Sequence, residues 1–313
     1  MSLDPNVQAL LDVIREAGRP KTWQLQPPEA REGSLALARV AAAQDVPIGP
    51  IADGMFPGPG GPRAYRSYTP LEAGPTPRAG IVYFHGGGYV IGSIETHEGV
   101  CRLLANASGA QVVSIDYRMG PEHPFPAAVE DGLAAVRWAA DNATALGIDP
   151  AKLAVGGDSA GGGLAAAVAQ LARAPGNPKI ALQILFCPWV DMTADTPSMN
   201  AYGENHLLER NMLKWAMRHY GADATDPRAS PALAEDLSGL PPALIHTAQY
   251  DPLRDEGAAY AERLKQAGVP VQYTCHGGMV HHFYALAGAI PYGRLMLAQV
   301  GSEVRAALDH NRV

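Results

Sequence analysis

A single serine lies inside a run of glycines near the middle of the chain, where an apolar segment ends. Residues 156–163 contain Ser159 in the pattern G-x-S-x-G. This spacing predicts a buried strand turning sharply into a helix, because residues without a Cβ are needed on both sides of such a turn. The serine hydroxyl would then project from the carboxyl edge of a sheet. The amide of Ala160 would begin the helix and favour a developing negative charge. Together these features predict nucleophilic attack on a carbonyl group.

The same glycines have two less specific explanations. They could form an ordinary strand-to-helix turn, or a glycine-rich loop that binds phosphate. A phosphate loop would need a lysine before its serine or threonine, but Ser159 follows Asp158. The rest of the chain must therefore decide between nucleophile and simple turn.

A second glycine run follows the apolar segment 80–84. It reads His85-Gly86-Gly87-Gly88 and interrupts a strand that enters the core. Three glycines at the end of a central strand leave backbone amides accessible, as an oxyanion hole requires. The amides of Gly86, Gly87 and Ala160 are the predicted oxyanion donors.

An acid and a base follow two later strands. Asp251 comes after the apolar segment 243–248, beside a proline that fixes the loop, and is preferred over Asp255, which would begin a helix. His281 follows a strand beginning at residue 271. The order Ser159, Asp251, His281 is that of an α/β-hydrolase triad. Because an imidazole base must be neutral, activity should rise through neutral to mildly alkaline pH.

Alternating strands and helices must position these residues. Strands are predicted at 64–69, 80–84, 111–117, 153–155, 181–187, 243–248 and 271–274, with helices between most of them. Such alternation predicts a parallel sheet covered on both faces. Residues 47–62 are predicted to be loop, and two helices are expected to end the chain. The alternation lapses between residues 188 and 242, where an amphipathic stretch at 207–220 predicts a lid or a surface helix.

The composition limits the possible partners and compartments. The chain has 313 residues, 47% of them hydrophobic, and a formal charge of −7. With no basic face and no run of ~18 apolar residues, we expect neither nucleic acid nor a membrane span as partner. Three cysteines without a C-x-x-C pattern predict buried, reduced thiols. We see no signal peptide, and a cytoplasmic location is expected.

The combined motifs resemble the bacterial hormone-sensitive-lipase-like esterases. That family joins His-Gly-Gly-Gly to Gly-Asp-Ser-Ala-Gly-Gly, which are residues 85–88 and 157–162 here. The resemblance implies an α/β-hydrolase fold, a mostly parallel sheet covered by helices, with a helical cap. The implied divisions are 1–45 and 188–240 for the cap, and 46–187 and 241–313 for the core. It also implies short- to medium-chain esters as substrates and allows a homodimer through the last strand.

One motif departs from the family pattern. The family usually has Gly-Met-x-His-Gly-Phe, whereas residues 278–283 read Gly-Met-Val-His-His-Phe. The register assigns His281 as the base, with His282 as the alternative base. Since His282 replaces a glycine, it would crowd the pocket or change its polarity. The supporting or substrate-pocket candidates are His85, Gly88, Tyr89, Asp158, Leu208, Met212 and His282.

The predicted reaction is acyl transfer to water through an acyl-enzyme. His281 takes the proton of Ser159, and Asp251 orients the imidazole. No metal or other cofactor is expected, since no H-E-x-x-H motif or cysteine pair is present. An amidase or peptidase of the same fold is an alternative, because a triad does not choose its leaving group. A non-catalytic small-ligand receptor is an alternative from another class.

Overall fold

An eight-stranded mixed sheet organises the part of the chain that the structure describes. The computed structural model describes residues 2–309. Residue 1 and residues 310–313, the ends of the first and last predicted divisions, lie outside the described residues. The strands are β1 Ile51–Gly58, β2 Gly61–Tyr68, β3 Arg78–Phe84, β4 Gln111–Ile115, β5 Ile148–Asp158, β6 Leu182–Phe186, β7 Ala243–Tyr250 and β8 Val271–Val280.

The strand order is β1-β2-β4-β3-β5-β6-β7-β8. The pairs β1–β2 and β2–β4 are antiparallel, and the remaining pairs are parallel. This confirms the predicted mostly parallel sheet of the α/β-hydrolase fold. The carboxyl ends of β3, β5, β7 and β8 share one edge of the sheet, where the glycine runs, the acid and the histidines follow.

Helices cover the sheet and connect its strands. They are α1 Pro5–Glu16, α2 Pro27–Ala41, α3 Glu98–Ser108, α4 Ala127–Asp141, α5 Ala143–Leu146, α6 Ala160–Leu171, α7 Pro197–Tyr202, α8 Arg210–Tyr220, α9 Arg254–Gln266 and α10 Tyr292–Asp309. The first helix begins where the Asp4 side chain accepts from the amide of Asn6 and a proline follows.

The apolar strands are buried because both faces of the sheet carry helices. Alternate residues of β3 belong to different hydrophobic clusters: that of Val82 and Phe84 includes residues of α4, α6 and α9, whereas that of Ile81 and Tyr83 includes residues of α3 and α10. Successive side chains of a strand point to opposite faces. The continuous apolar runs in the sequence therefore indicate double coverage, as expected of parallel strands.

Three local predictions were wrong. Residues 47–62 are not all loop, because they contain β1, an edge strand that tolerates Pro57 and two glycines. One C-terminal helix, α10, follows β8 within the described residues instead of two, since residues 281–289 form turns. Cys101 and Cys187 are buried as predicted, but Cys275 is exposed because it lies on the edge strand β8.

The two segments predicted to form a cap touch each other. The indole of Trp215, in α8, donates to the carbonyl of Leu25 at 3.3 Å, and the ammonium of Lys21 pairs with Glu209 at 2.8 Å. Residues 21–25 thus lie against the 188–240 segment. The division of the chain into a cap and a core stays a prediction. Among residues 2–309, no helix combines the length and apolar character needed to cross a bilayer.

Candidate active site

Ser159 lies on a strained turn between β5 and α6. Its backbone has φ +52° and ψ −121°, a conformation that non-glycine residues rarely adopt. Its amide donates to the carbonyl of Phe186 at 2.8 Å, and its carbonyl accepts from the amide of Trp189 at 2.9 Å. A Cβ on Gly157 would overlap the carbonyl of Gly161. The glycines beside Ser159 are therefore required by close backbone packing.

The three predicted triad side chains form one hydrogen-bonded chain. Ser159 Oγ is 3.0 Å from His281 Nε2, and His281 Nδ1 is 2.7 Å from Asp251 Oδ2. Asp251 is fully buried, and its other oxygen accepts from the amide of Leu253 at 2.9 Å. A buried acceptor held in this way fixes the histidine ring with Nε2 facing the serine.

The competing acid and histidine lie elsewhere. Asp255 accepts from the amide of Ser198 and from the guanidinium of Arg254, both at 2.8 Å. His282 points toward Asp158, with 3.5 Å between Nδ1 and Oδ2. The structure therefore brings together Ser159, Asp251 and His281, and leaves the two alternatives outside the chain of contacts.

The glycine loop corrects one predicted oxyanion donor. The amide of Gly86 donates to Asp158 Oδ1 at 3.0 Å, so it is committed to a buried carboxylate. Gly87 and Gly88 have φ of +120° and +64°, and within the described residues their amides donate no hydrogen bond. Gly88 thus replaces Gly86 as a candidate, beside Gly87 and Ala160. The sequence of three consecutive glycines does not by itself show which of their amides lack a hydrogen-bond acceptor.

Asp158 supports the glycine loop and does not line a substrate pocket. Besides Gly86, its carboxylate accepts from the hydroxyls of Tyr83 at 2.7 Å and Tyr284 at 3.3 Å, and contacts His97 at 3.2 Å. Although burial raises the pKa of Asp158, the neighbouring His97 and His282 outweigh it and hold the pKa well below its usual range. A fully buried charge with this many partners anchors the structure around it.

Two other predicted supporting residues are buried. His85 stacks on Tyr117 with ring centroids 4.5 Å apart, and burial, with the charge of His97, lowers its pKa to about 4. Tyr89 stacks on Tyr220 of α8 at 4.0 Å and is fully buried. Both side chains pack the glycine loop against its surroundings, which is the supporting alternative of the prediction.

The remaining predicted pocket residues belong to the segment beside the glycine loop. A Cβ on Gly88 would lie 2.8 Å from the Cβ of Ala216 in α8. Leu208 and Met212 are half-buried and pack against the same hydrophobic cluster as α8. Their contact with substrate stays a prediction.

Sequence reasoning missed the residues around Asp158. Tyr83 lies within an apolar strand and His97 at the start of a helical segment, so neither has a local pattern of its own. Among residues 2–309, two groups could hold a metal ion: His97 with Asp158 and His282, and Cys187 with Asp251 and His281. The second group shares two members with the triad.

The fold and the site together define an α/β hydrolase. A family model described as alpha/beta hydrolase fold matches residues 81–285. The carboxylic ester hydrolase LipN of Mycobacterium tuberculosis is 46% identical over 245 residues, which span 75% of this chain but 65% of that relative. The ethyl acetate hydrolase of Pseudomonas putida is 40% identical over 305 residues, 93% of this chain and 94% of that relative.

A solved structure is similar over nearly the whole chain. The ester hydrolase EH1AB1 from the metagenome of Lake Arreo has a TM-score of 0.93 and 42% identity, covering 97% of this chain and 98% of that one. The chain belongs to the hormone-sensitive-lipase-like esterases of the α/β-hydrolase fold. Its class of activity is ester hydrolysis by a serine hydrolase.

Proposed function

We propose that the protein hydrolyses short- to medium-chain acyl esters through an acyl-enzyme on Ser159. The single observation that carries this proposal is the continuous chain of 3.0 Å and 2.7 Å contacts from Ser159 through His281 to Asp251. His281 takes the hydroxyl proton as Ser159 attacks the ester carbonyl. It then gives this proton to the leaving alcohol, and Asp251 stabilises the imidazolium between these two events.

The amides of Gly87, Gly88 and Ala160 are the proposed oxyanion donors. Ala160 begins α6, where backbone N–H groups lack partners within the helix. Each donor is worth ~3 kcal/mol in the transition state, by analogy with measured deletions. Asp158 contributes by holding the Gly86 amide, which keeps the next two glycines in place. Water then attacks the acyl-enzyme with His281 as base.

A small substrate fits the limited access to the serine. Ser159 is 7% exposed and His281 is 5% exposed, so a soluble ester that enters the site is favoured over an emulsified lipid surface. The name of the Pseudomonas putida relative, ethyl acetate hydrolase, is consistent with a small ester. The Lake Arreo hydrolase is known with a bipyridine phosphonate derivative, and a tetrahedral phosphonate resembles the intermediate of ester hydrolysis.

The decisive experiment is a panel of nitrophenyl esters of increasing acyl length on the wild type and Ser159→Ala. We expect the highest kcat/KM on short acyl chains, and a loss of about 10⁵–10⁶-fold in kcat in the variant. Ser302→Ala, at an exposed position of α10, is the matched control and should keep full activity. Faster hydrolysis of a matched amide than of its ester would favour an amidase. A fully active Ser159→Ala would overturn the mechanism.

A homodimer through β8 is a further part of the proposal. This strand ends the order of the sheet, and an edge strand presents unpaired backbone groups to another chain. Light scattering at several protein concentrations would give the mass in solution, and a monomer at all of them would contradict it.

A further inference from the structure

Three side chains that could bind a metal converge behind the catalytic histidine. They are His97, Asp158 and His282, and within residues 2–309 their ligand atoms lie within 4.8 Å of one another. Asp158 Oδ2 is 3.2 Å from His97 Nε2 and 3.5 Å from His282 Nδ1. None of the three takes part in the proposed proton transfers.

These separations fit a shared ion. Zinc binds nitrogen and carboxylate oxygen at about 2.0–2.1 Å in tetrahedral sites, so neighbouring ligand atoms lie about 3.4 Å apart. The contact of 3.5 Å between His282 and Asp158 is long for a hydrogen bond. It needs little change for both atoms to bind one ion.

The environment of His97 already orients a ligand nitrogen toward Asp158. The hydroxyl of Thr96 donates to the carbonyl of Ser93 at 2.9 Å and lies 2.8 Å from His97 Nδ1. With that hydroxyl proton on Ser93, His97 donates from Nδ1, and its Nε2 accepts from the amide of Gly86 at 3.3 Å while lying 3.2 Å from the anionic Oδ2 of Asp158. A fixed outer hydrogen bond of this kind is typical of metal-binding histidines.

His282 is the member that distinguishes this chain from the family pattern, which has glycine there. Its φ is +66°, a left-handed conformation that is strained for an L-residue. Its side chain is 27% exposed, whereas those of His97 and Asp158 are buried. The strained residue is therefore also the entry side of the cluster.

We propose that His97, Asp158 and His282 form a binding site for zinc or a similar divalent transition metal. Two imidazoles and one carboxylate are a suitable ligand set, with water as the fourth ligand. Binding changes no oxidation state, and any proton displaced from an imidazole goes to solvent.

The bound ion would inhibit the enzyme reversibly. This consequence, unlike the binding itself, rests on the proposed function. The rings of His281 and His282 are stacked with centroids 6.4 Å apart. Because His281 and His282 are adjacent in the chain, an ion that fixes the His282 ring also constrains the loop that presents His281 to Ser159 at 3.0 Å.

A second cluster makes the test demanding. Cys187, Asp251 and His281 also lie within ligand distance of one another and are all buried. A metal bound there would block the triad directly, so the experiment must separate a site with a thiolate from a site without one.

The binding experiment is a calorimetric titration of Zn²⁺ into Ser159→Ala protein, which separates binding from catalysis. We expect one site per chain. Adding His282→Gly should weaken binding by more than tenfold, because loss of even an outer-shell partner costs about 10–100-fold. Adding Cys187→Ala or the exposed His123→Gln should leave binding unchanged. The glycine variant relieves a strained backbone and should therefore fold.

Cobalt provides a readout that does not depend on activity. Co²⁺ bound at the proposed site should give visible absorption without a sulfur-to-cobalt charge-transfer band. With wild-type enzyme, Zn²⁺ should inhibit and a chelator should restore the rate, while His282→Gly should resist inhibition relative to its own metal-free rate. The proposal is overturned by absence of binding, by equal binding to the glycine variant, or by a charge-transfer band that disappears in Cys187→Ala.

Discussion

Among residues 2–309, two of the hydrogen-bonded chains that join a carboxylate through imidazole to a hydroxyl differ in their position on the sheet. One runs from Asp251 through His281 to Ser159. The other runs from Glu303 through His246 and His276 to Tyr292, with contacts of 2.9, 3.1 and 3.1 Å. Their contact distances are similar, so hydrogen bonding alone does not distinguish a catalytic chain.

The difference lies in the backbone that carries each chain. Ser159 is on a strained turn at the start of α6, and His281 follows β8, so both lie at the carboxyl edge of the sheet. His246 and His276 lie within β7 and β8, and both ring nitrogens of each are already used within that chain. In the proposed mechanism the hydroxyl of the first chain attacks the ester, whereas the second chain joins α10 to the sheet.

The sharpest test of this comparison removes the charge of each carboxylate in turn. Asp251→Asn should lower kcat by about 10⁴-fold, because an amide holds the imidazole in the wrong tautomer. Glu303→Gln should leave kcat nearly unchanged. Steady-state kinetics on one nitrophenyl ester would measure both. A comparable loss in the two variants would break the distinction.

A second test addresses the backbone near the serine. Gly87→Ala should lower kcat by about 10²–10³-fold, since its Cβ would overlap the carbonyl of Ile91 and displace a proposed oxyanion donor. Gly176 is the matched control, because its φ is also positive, at +88°, but no atom lies within 4 Å of an added Cβ. Gly176→Ala would therefore show the effect of backbone strain alone. Equal kcat in the two variants would count against the oxyanion role of this loop.

These positions show what the sequence could predict. The elbow at Ser159 was predictable because a strand, a helix and their intervening glycines are neighbours along the chain. The exclusion of Gly86 was not, because it depends on Asp158, which is 72 residues away in sequence. The strand β1 was missed because Pro57 and two glycines resemble a loop, and its edge position became visible only with its partner β2.

A third test uses pH to show the structural role of the second chain. Burial, with the charge of His246, lowers the pKa of His276 to about 4, below the ordinary histidine value near 6.5. The unfolded chain then binds the proton more readily, so this residue lowers stability as pH falls from about 6.5 to about 4. Fully developed below pH 4, this loss corresponds to about 3 kcal/mol, of which about 2 kcal/mol develops between pH 7 and pH 5.

His276→Gln should flatten that part of the stability curve while leaving kcat nearly unchanged. Denaturant unfolding at pH 7 and pH 5 would measure the difference. His85, whose pKa is also lowered to about 4, is present in both proteins. Its effect on the pH dependence of stability therefore cancels when the two are compared. An unchanged pH dependence in the variant would contradict the assignment to His276.

The smallest expected effect concerns two cysteines, one beside each of the two hydrogen-bonded chains. Cys275 is exposed on β8, whereas Cys187 is buried beside Asp251, and burial holds the pKa of Cys187 well above its usual range. A thiol reagent should modify one thiol per native chain, with little change in kcat. Rapid modification of Cys187 with loss of activity would show that the region around the triad is more accessible to reagents than the burial of Cys187 indicates.

The central claim is that Ser159 is the nucleophile, and covalent labelling tests it most directly. An organophosphate should add one equivalent per chain, and peptide mass spectrometry should find the adduct on Ser159. Asp251→Asn should label far more slowly at the same residue. An unmodified Ser159 in a folded protein that still hydrolyses esters would contradict the account.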